Sequence, residues 1–174
     1  RSLDAGYAVL AYMENAHPQA GLVGQQLVYD KQGVTILAPV TRPNIIFDGM
    51  VYEGHVKHHY GEIPAGYYKR PVWNTQSGST VVGTGAPLFK PKYTAQYDFE
   101  FEMGFYIGKR GCNIKPEEAL DYVAGFTVFN DVSARDAQAD EAVMALGPAK
   151  GKFFRNSLVM GPCVVTKDEL PDYD

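Results

Sequence analysis

The chain has 174 residues, enough for one domain with a sizeable core and little more. Its 12 Tyr and 9 Phe are aromatic area that has to be buried, which excludes a disordered chain. A formal net charge of −4, with no Lys/Arg run longer than two residues, argues against nucleic acid or an anionic membrane as a partner.

No stretch reaches the ~20 apolar residues that span a bilayer. The start, Arg1-Ser2-Leu3-Asp4, has neither an initiator Met nor the apolar core of a signal peptide, so the natural protein is expected to begin upstream. A soluble, cytoplasmic protein is the expectation. Cys112 and Cys163 show no metal-type spacing and are expected as buried free thiols in a reducing compartment.

In chain order, Ser2 to His17 predicts a helix, with Leu3, Tyr7, Leu10 and Glu14 on one side and Ser2 as its cap. Gln26–Tyr29 and Val34–Leu37 predict two short strands around the turn Asp30-Lys31-Gln32-Gly33. Residues 1–40 read as a small N-terminal segment, because two prolines in Ala38-Pro39-Val40-Thr41-Arg42-Pro43 forbid regular structure there. Asn44–Phe47 predicts a strand running into Asp48-Gly49. Pro71–Gly85 predicts a loop with a short strand at Val81-Val82. Asn113–Val123 predicts a helix with Pro116 in its first turn. Phe126–Phe129 predicts a strand. Ser133 and Asp136 read as an acidic capping box for a short helix, and Leu158–Val165 as a late strand. The mixture is a β-rich α/β fold, not a helical bundle.

Four stretches carry chemistry. In 98–107, the odd positions Phe99, Phe101, Met103, Phe105 and Ile107 are large and apolar, while the even positions begin Asp98, Glu100, Glu102. On a strand this predicts a core face and a face with carboxylates in a row, ~7 Å apart, whose repulsion a hard divalent cation removes. A solvated acidic face is the plain alternative. In 128–138 an apolar strand ends at Asn130-Asp131; for Asp131 alone a turn cap is the simple reading, and for Arg135 and Asp136 local salt bridges. In 48–59, His55, His58 and His59 follow Asp48, and a His near carboxylates is a candidate general base as well as an ordinary surface residue. In 146–154, glycines and Pro148 shape a loop that either delivers Lys152 to an anionic substrate or leaves it exposed.

Together, and in this order, these stretches resemble the fumarylacetoacetate hydrolase family. The family's two glutamates one residue apart appear as Glu100 and Glu102, and its Asn-Asp-x-Ser-Ala-Arg-Asp-x-Gln motif as Asn130 to Gln138. Its Gly-Lys-x-Phe loop appears as Gly151 to Phe154, followed by Gly161-Pro162. The likeness runs from Pro39 to about Leu170, and residues 41–174 are identified as the first part of the family's catalytic domain, a mixed β-roll. That roll continues beyond this point in known members. A partial roll leaves open strand edges, so further chain, or a second fragment of the same protein, is expected to complete it.

The resemblance implies Mg²⁺ or Ca²⁺, with Mn²⁺ as a further candidate, bound by Glu100, Glu102 and Asp131. In the branch containing fumarylacetoacetase a further metal-binding aspartate lies seven residues before the catalytic histidine, the spacing of Asp48 and His55, so Asp48 is the implied fourth ligand. It further implies His55 as the base that activates water, Gln138 and Lys152 as groups that polarise substrate, and a homodimer. The chain departs from many members at His58, where a Glu is usual, and at Asn74, Thr75 and Gln76, where a Lys or Tyr usually faces substrate. The implied function is metal-dependent hydrolysis of a C–C bond in a 1,3-diketo acid or acylpyruvate. The alternatives are decarboxylation, hydration or tautomerisation of a 2-oxo acid by the same metal–enolate chemistry, or a metal-binding relative without catalysis.

Overall fold

A computed structural model describes residues 2–16 and 24–170, and the chain divides into two compact units, Arg1–Thr35 and Ile36–Asp174. In the first unit the helix α1 forms over Ser2–Ala16, close to its expected span; the Ser2 side chain and His17 lie outside the described residues. The expected hairpin is not there. Only its turn survives, as a 3₁₀ turn at Lys31–Gly33 whose Gln32 N–H donates to the Asp30 carboxylate at 2.9 Å. Leu27, Val28, Tyr29, Val34, Ile36 and Leu37 all remain exposed. An isolated two-stranded hairpin without a buried face is marginal in water, whatever its alternation.

The second unit is built on strands. β1, Ile46–Gly49, starts two residues later than predicted and so includes Asp48. It is followed by a helix, α2, at Glu53–Tyr60, and by β2, Trp73–Gln76, neither of which the sequence patterns announced. β1 and β2 pair antiparallel, with Ile46 opposite Gln76 and Asp48 opposite Asn74. β3, Val81–Val82, is where it was expected.

The expected strand over 98–107 is two strands, β4 at Tyr97–Asp98 and β5 at Phe101–Ile107. β6, Val123–Asp131, pairs antiparallel with β5, and β7, Ser133–Ala134, pairs with β4. The helix α3 spans Arg135–Val143, and β8 spans Leu158–Val165 as predicted. The main sheet has the order β3-β8-β6-β5, parallel only between β3 and β8. Between two neighbours, β6 is apolar on both faces, which is why Val-Ala-Gly-Phe-Thr-Val-Phe reads as one unbroken run. Its inner side holds Phe129, which clusters with Ala38, Leu158 and Met160, and Ile46, Val81 and Tyr106 pack against them.

Several local expectations fail for identifiable reasons. The segment before β6 is a 3₁₀ run, Pro116–Tyr122, not an α-helix: β6 begins at the next residue, and the Gly108 N–H takes the Tyr122 carbonyl at 2.8 Å. The capping box does not form, because Ser133 is held in the β4–β7 ladder and Asp136 accepts instead from the Thr94 hydroxyl and the Ala95 N–H. Cys112 and Cys163 are both exposed, not buried: Cys163 lies past the buried first half of β8.

The largest correction concerns β5. Its apolar odd positions do not face the core; Phe101 is 80 % and Ile107 66 % exposed, while Glu102, Gly104 and Tyr106 turn inward. The inner side of the sheet is occupied by the core cluster and, at its end, by the carboxylates. Among the described residues nothing covers the outer side of β5.

One glycine ties β2 to the proline-rich segment. A Cβ at Gly78 would lie 1.9 Å from the Pro43 carbonyl oxygen and 2.9 Å from its carbon, backbone atoms with nowhere to go. Gly78→Ala should therefore lower stability by about 1–3 kcal/mol, the usual range for overpacking, in chemical denaturation. A change within about 0.5 kcal/mol, ordinary for an open surface position, would show that this contact does not restrain the fold.

Candidate metal centre

Asp131 ends β6 and is 0 % exposed. Glu102 projects from the inner face of β5, opposite Phe129. Glu100 comes from the break between β4 and β5, where the ladders change partner: Asp98 pairs with Ser133, whereas Phe101 pairs with Asn130. The Glu100 N–H donates to Asn130 Oδ1 at 3.1 Å, which fixes that break. Ligand atoms of Glu100, Glu102 and Asp131 lie within 4.8 Å of one another.

Lys152 reaches two of the three carboxylates, and it is 2 % exposed. Its Nζ lies 2.7 Å from Glu100 Oε2 and 2.8 Å from Asp131 Oδ2, so the exposed-lysine reading is set aside. Arg135 also reaches back along the chain, to Asp98 Oδ2 at 3.0 Å and to Glu100, instead of pairing locally with Asp136. It further donates to Gln138 Oε1 at 3.3 Å, which links Gln138 to Glu100 through one guanidinium. Asp48 joins through Gln76, whose Nε2 donates to Asp48 Oδ2 at 3.3 Å and to Asp131 Oδ2.

Crowding sets the charge states. Burial pushes the Glu102 carboxyl far above the ordinary range, helped by its hydrogen bond with Glu100 and by the charges of Asp48, Glu100 and Asp131. Burial acts on Glu100 too, but donation from Glu102, Lys152 and Arg135 outweighs it and holds that carboxyl low. Asp131 is raised to about 6 by burial, against the pull of Lys152 and Gln76. The hydrogen bond between Glu100 and Glu102 thus raises one carboxyl and lowers the other at the place where a divalent cation would bind. The donor set fits that cation. It is all carboxylate oxygen, which suits Mg²⁺, Mn²⁺ or Ca²⁺ and not Zn²⁺. Asp131 Oδ1 is buried and has no hydrogen-bond partner among the described residues, as an oxygen reserved for a metal would be.

His55 stands apart. It lies exposed in the first turn of α2, and makes no hydrogen bond to the carboxylates among the described residues. His58 and His59 are exposed as well, with the His59 ring on Tyr60.

Two residues hold the site in roles the motif reading did not assign, Gln76 having been noted only as a departure from the family pattern. Gln76 sits on a strand whose alternation is too short and polar to register. Glu141 lies three residues after Gln138, on the same face of α3. Its carboxylate accepts from the N–H groups of Ala149 at 2.8 Å, Lys150 at 2.6 Å and Gly151 at 3.2 Å, and thereby clamps the loop that carries Lys152. Gly151 allows the approach: a Cβ there would stand 2.8 Å from Gln138 Cβ and 2.9 Å from its Cα.

Comparison with known proteins agrees with this geometry. The family described as fumarylacetoacetate (FAA) hydrolase C-terminal matches residues 44–174. A mitochondrial oxaloacetate tautomerase of Rattus norvegicus is 38% identical over 152 residues, covering 87% of this chain and 46% of the relative. That of Homo sapiens is 36% identical over 171 residues, covering 98% and 51%. Both relatives are mitochondrial by name, whereas the sequence alone suggested a cytoplasmic protein; among the described residues no helix is long and apolar enough to cross a membrane. The chain spans about half the length of the curated relatives it matches. Among solved structures, Cg1458 with inhibitor superposes with a TM-score of 0.68 at 26% identity, over 82% of this chain and 51% of that one. Fumarylpyruvate hydrolase from Pseudomonas aeruginosa, in complex with Mn²⁺ and pyruvate, gives 0.61 at 25%, over 84% and 65%. The fold is the mixed, β-rich α/β fold of these proteins, without a closed barrel among the described strands. With its carboxylate cluster, its buried lysine and its match over most of the sequence, the chain belongs to the fumarylacetoacetate hydrolase family.

Proposed function

We propose that this chain carries the metal-binding half of an enzyme that interconverts the keto and enol forms of a small 2-oxo acid, with oxaloacetate as the leading substrate. The observation that carries the reading is the buried set Glu100, Glu102 and Asp131 with the Lys152 ammonium inside it. The 36–38% identical tautomerases supply the substrate class. This moves the emphasis from C–C hydrolysis, the first expectation, to its alternative. Hydrolysis of an acylpyruvate is the second reading, favoured by the likeness to fumarylpyruvate hydrolase.

A divalent ion held by Glu100, Glu102 and Asp131 would polarise the carbonyl and carboxylate oxygens of a 2-oxo acid and so acidify the neighbouring C–H. Tautomerisation then moves one proton from that carbon to the oxygen and changes nothing else. Lys152 would stabilise the negative charge that grows on oxygen; one such donor is typically worth ~3 kcal/mol. Glu100 and Asp131 hold that lysine in place electrostatically, and Glu141 holds its loop mechanically. Gln138 would bind the far end of the substrate. His55 is the proposed proton carrier. We further propose a homodimer as the working form.

Calorimetric titration with Mg²⁺ or Mn²⁺ should show binding to wild type and a loss of at least about tenfold in Glu102→Ala. The enol absorbance of oxaloacetate should decay faster with metal-loaded protein than without it. Acylpyruvate cleavage with no effect on the enol would reverse the order of the two readings. His55→Ala should lower turnover by ~10²–10⁴ at unchanged metal affinity, and a wild-type rate would remove it from the mechanism.

Lys152→Met should reduce kcat and kcat/KM equally, the mark of a contact made in the transition state. Glu141→Gln keeps size but brings an NH₂ toward three backbone donors. It should lower kcat by ~10- to 100-fold through misplacement of Lys152, and speed hydrogen exchange at residues 149–151. Unchanged exchange together with unchanged kcat would mean that the loop holds itself.

A further inference from the structure

Asp131 has two donors, and both fall on the same oxygen. Lys152 Nζ is 2.8 Å from Oδ2, and Gln76 Nε2 donates to Oδ2 as well, while Oδ1 is buried with no hydrogen-bond partner among the described residues. Gln76 is no accident of a loop. It ends β2, is 3 % exposed, and its strand is locked in register against β1, so that its Nε2 also meets Asp48 Oδ2 at 3.3 Å. A carboxamide donates hydrogen bonds to two carboxylates without bringing charge, so it orients them and leaves their attraction for a cation intact. Lys152, by contrast, divides itself between Asp131 and Glu100.

We propose that Gln76 is a positioning residue that fixes Asp131 as a one-oxygen ligand and thereby tunes the carboxylate cluster toward small divalent ions, Mg²⁺ or Mn²⁺, over Ca²⁺. The small ions take octahedral sets of single oxygens at short distance; Ca²⁺ takes more ligands and readily accepts both oxygens of one carboxylate. For Asp131 to offer both oxygens, Oδ2 would have to leave two buried donors, one of them a cation. Removing the Gln76 donor lowers that barrier and frees the carboxylate to rotate. The orientation of metal ligands by such outer partners is general, and their loss typically weakens binding by about 10- to 100-fold.

This inference rests on the metal reading proposed above, and one set of titrations separates the two. Metal-stripped full-length wild type, Gln76→Met and Gln76→Ala are each titrated with Mn²⁺ alone and with Ca²⁺ alone, after thermal unfolding has shown which variants are folded. Gln76→Met keeps the volume and removes the donor. It should weaken Mn²⁺ by about tenfold or more and Ca²⁺ by less than about threefold, so that the preference between the ions shrinks. Equal weakening of both ions would make Gln76 merely a structural support and overturn the inference, as would no weakening of either. Wild type that binds neither ion would sink the metal reading itself. A crystal structure of Mn²⁺-loaded wild type gives a check that no variant's folding can disturb. Asp131 should bind through Oδ1 alone with Oδ2 still on Gln76, and an Asp131 bound through both oxygens would overturn the inference.

Discussion

Like charges crowded out of water are the constraint on which this unit depends. Glu100, Glu102 and Asp131 converge in a space too small and too dry for three ionised carboxylates, and Asp48 adds a fourth charge at its edge. Every other feature near them answers that repulsion. Lys152 is buried because the carboxylates offset the penalty of desolvating an ammonium, and they in turn are tolerable because it is there. Arg135 takes the oxygen of Glu100 that Lys152 leaves free, and the hydrogen bond between Glu100 and Glu102 raises one carboxyl as it lowers the other. Breaking one partner of such a set leaves an uncompensated buried charge, so the arrangement stands or falls together.

The backbone is shaped to hold that set. The break between β4 and β5 exists because the chain pairs first with Ser133 and then with Asn130, and it is this break that swings Glu100 beside Glu102. At the other side, the helix α3 contributes little apolar burial and instead works as a rack of polar contacts. Arg135 at its start, Gln138 one turn on and Glu141 after that each hold a different part of the site. A helix used in this way needs no amphipathic stripe, and α3 has no buried residue.

Much of this was legible in the sequence, unevenly. Strands flanked by neighbours on both edges announce themselves through apolar runs: β8 was read to its true bounds, and β6 from Phe126, three residues after its start. The motif from Asn130 to Gln138 and the lysine loop pointed to residues that the fold does bring together. Alternation was the poorest guide. It predicted strands at Gln26–Tyr29 and Val34–Leu37, where no sheet was available to receive them. At β5 it found the period but not the sign: a two-residue repeat says that two faces differ, not which one turns inward. In this unit the carboxylate side is the inner one, because its charges are balanced there. The roles of Gln76 and Glu141 were not legible for a different reason. Gln76 meets an aspartate 55 residues away and Glu141 the backbone of a loop 8 to 10 residues on, and no local pattern encodes either partner.

β5 therefore carries two unrelated inventories on one ribbon, the inward Glu102, Gly104 and Tyr106 and the outward apolar residues, interleaved with a period of two. Point substitutions on either face leave the other untouched in register. An insertion or deletion of a single residue before Phe101 would do the opposite, turning Phe101 and Met103 onto the cluster and Glu102 out to the solvent side. Over evolutionary time this short stretch should accept changes of letter far more readily than changes of length.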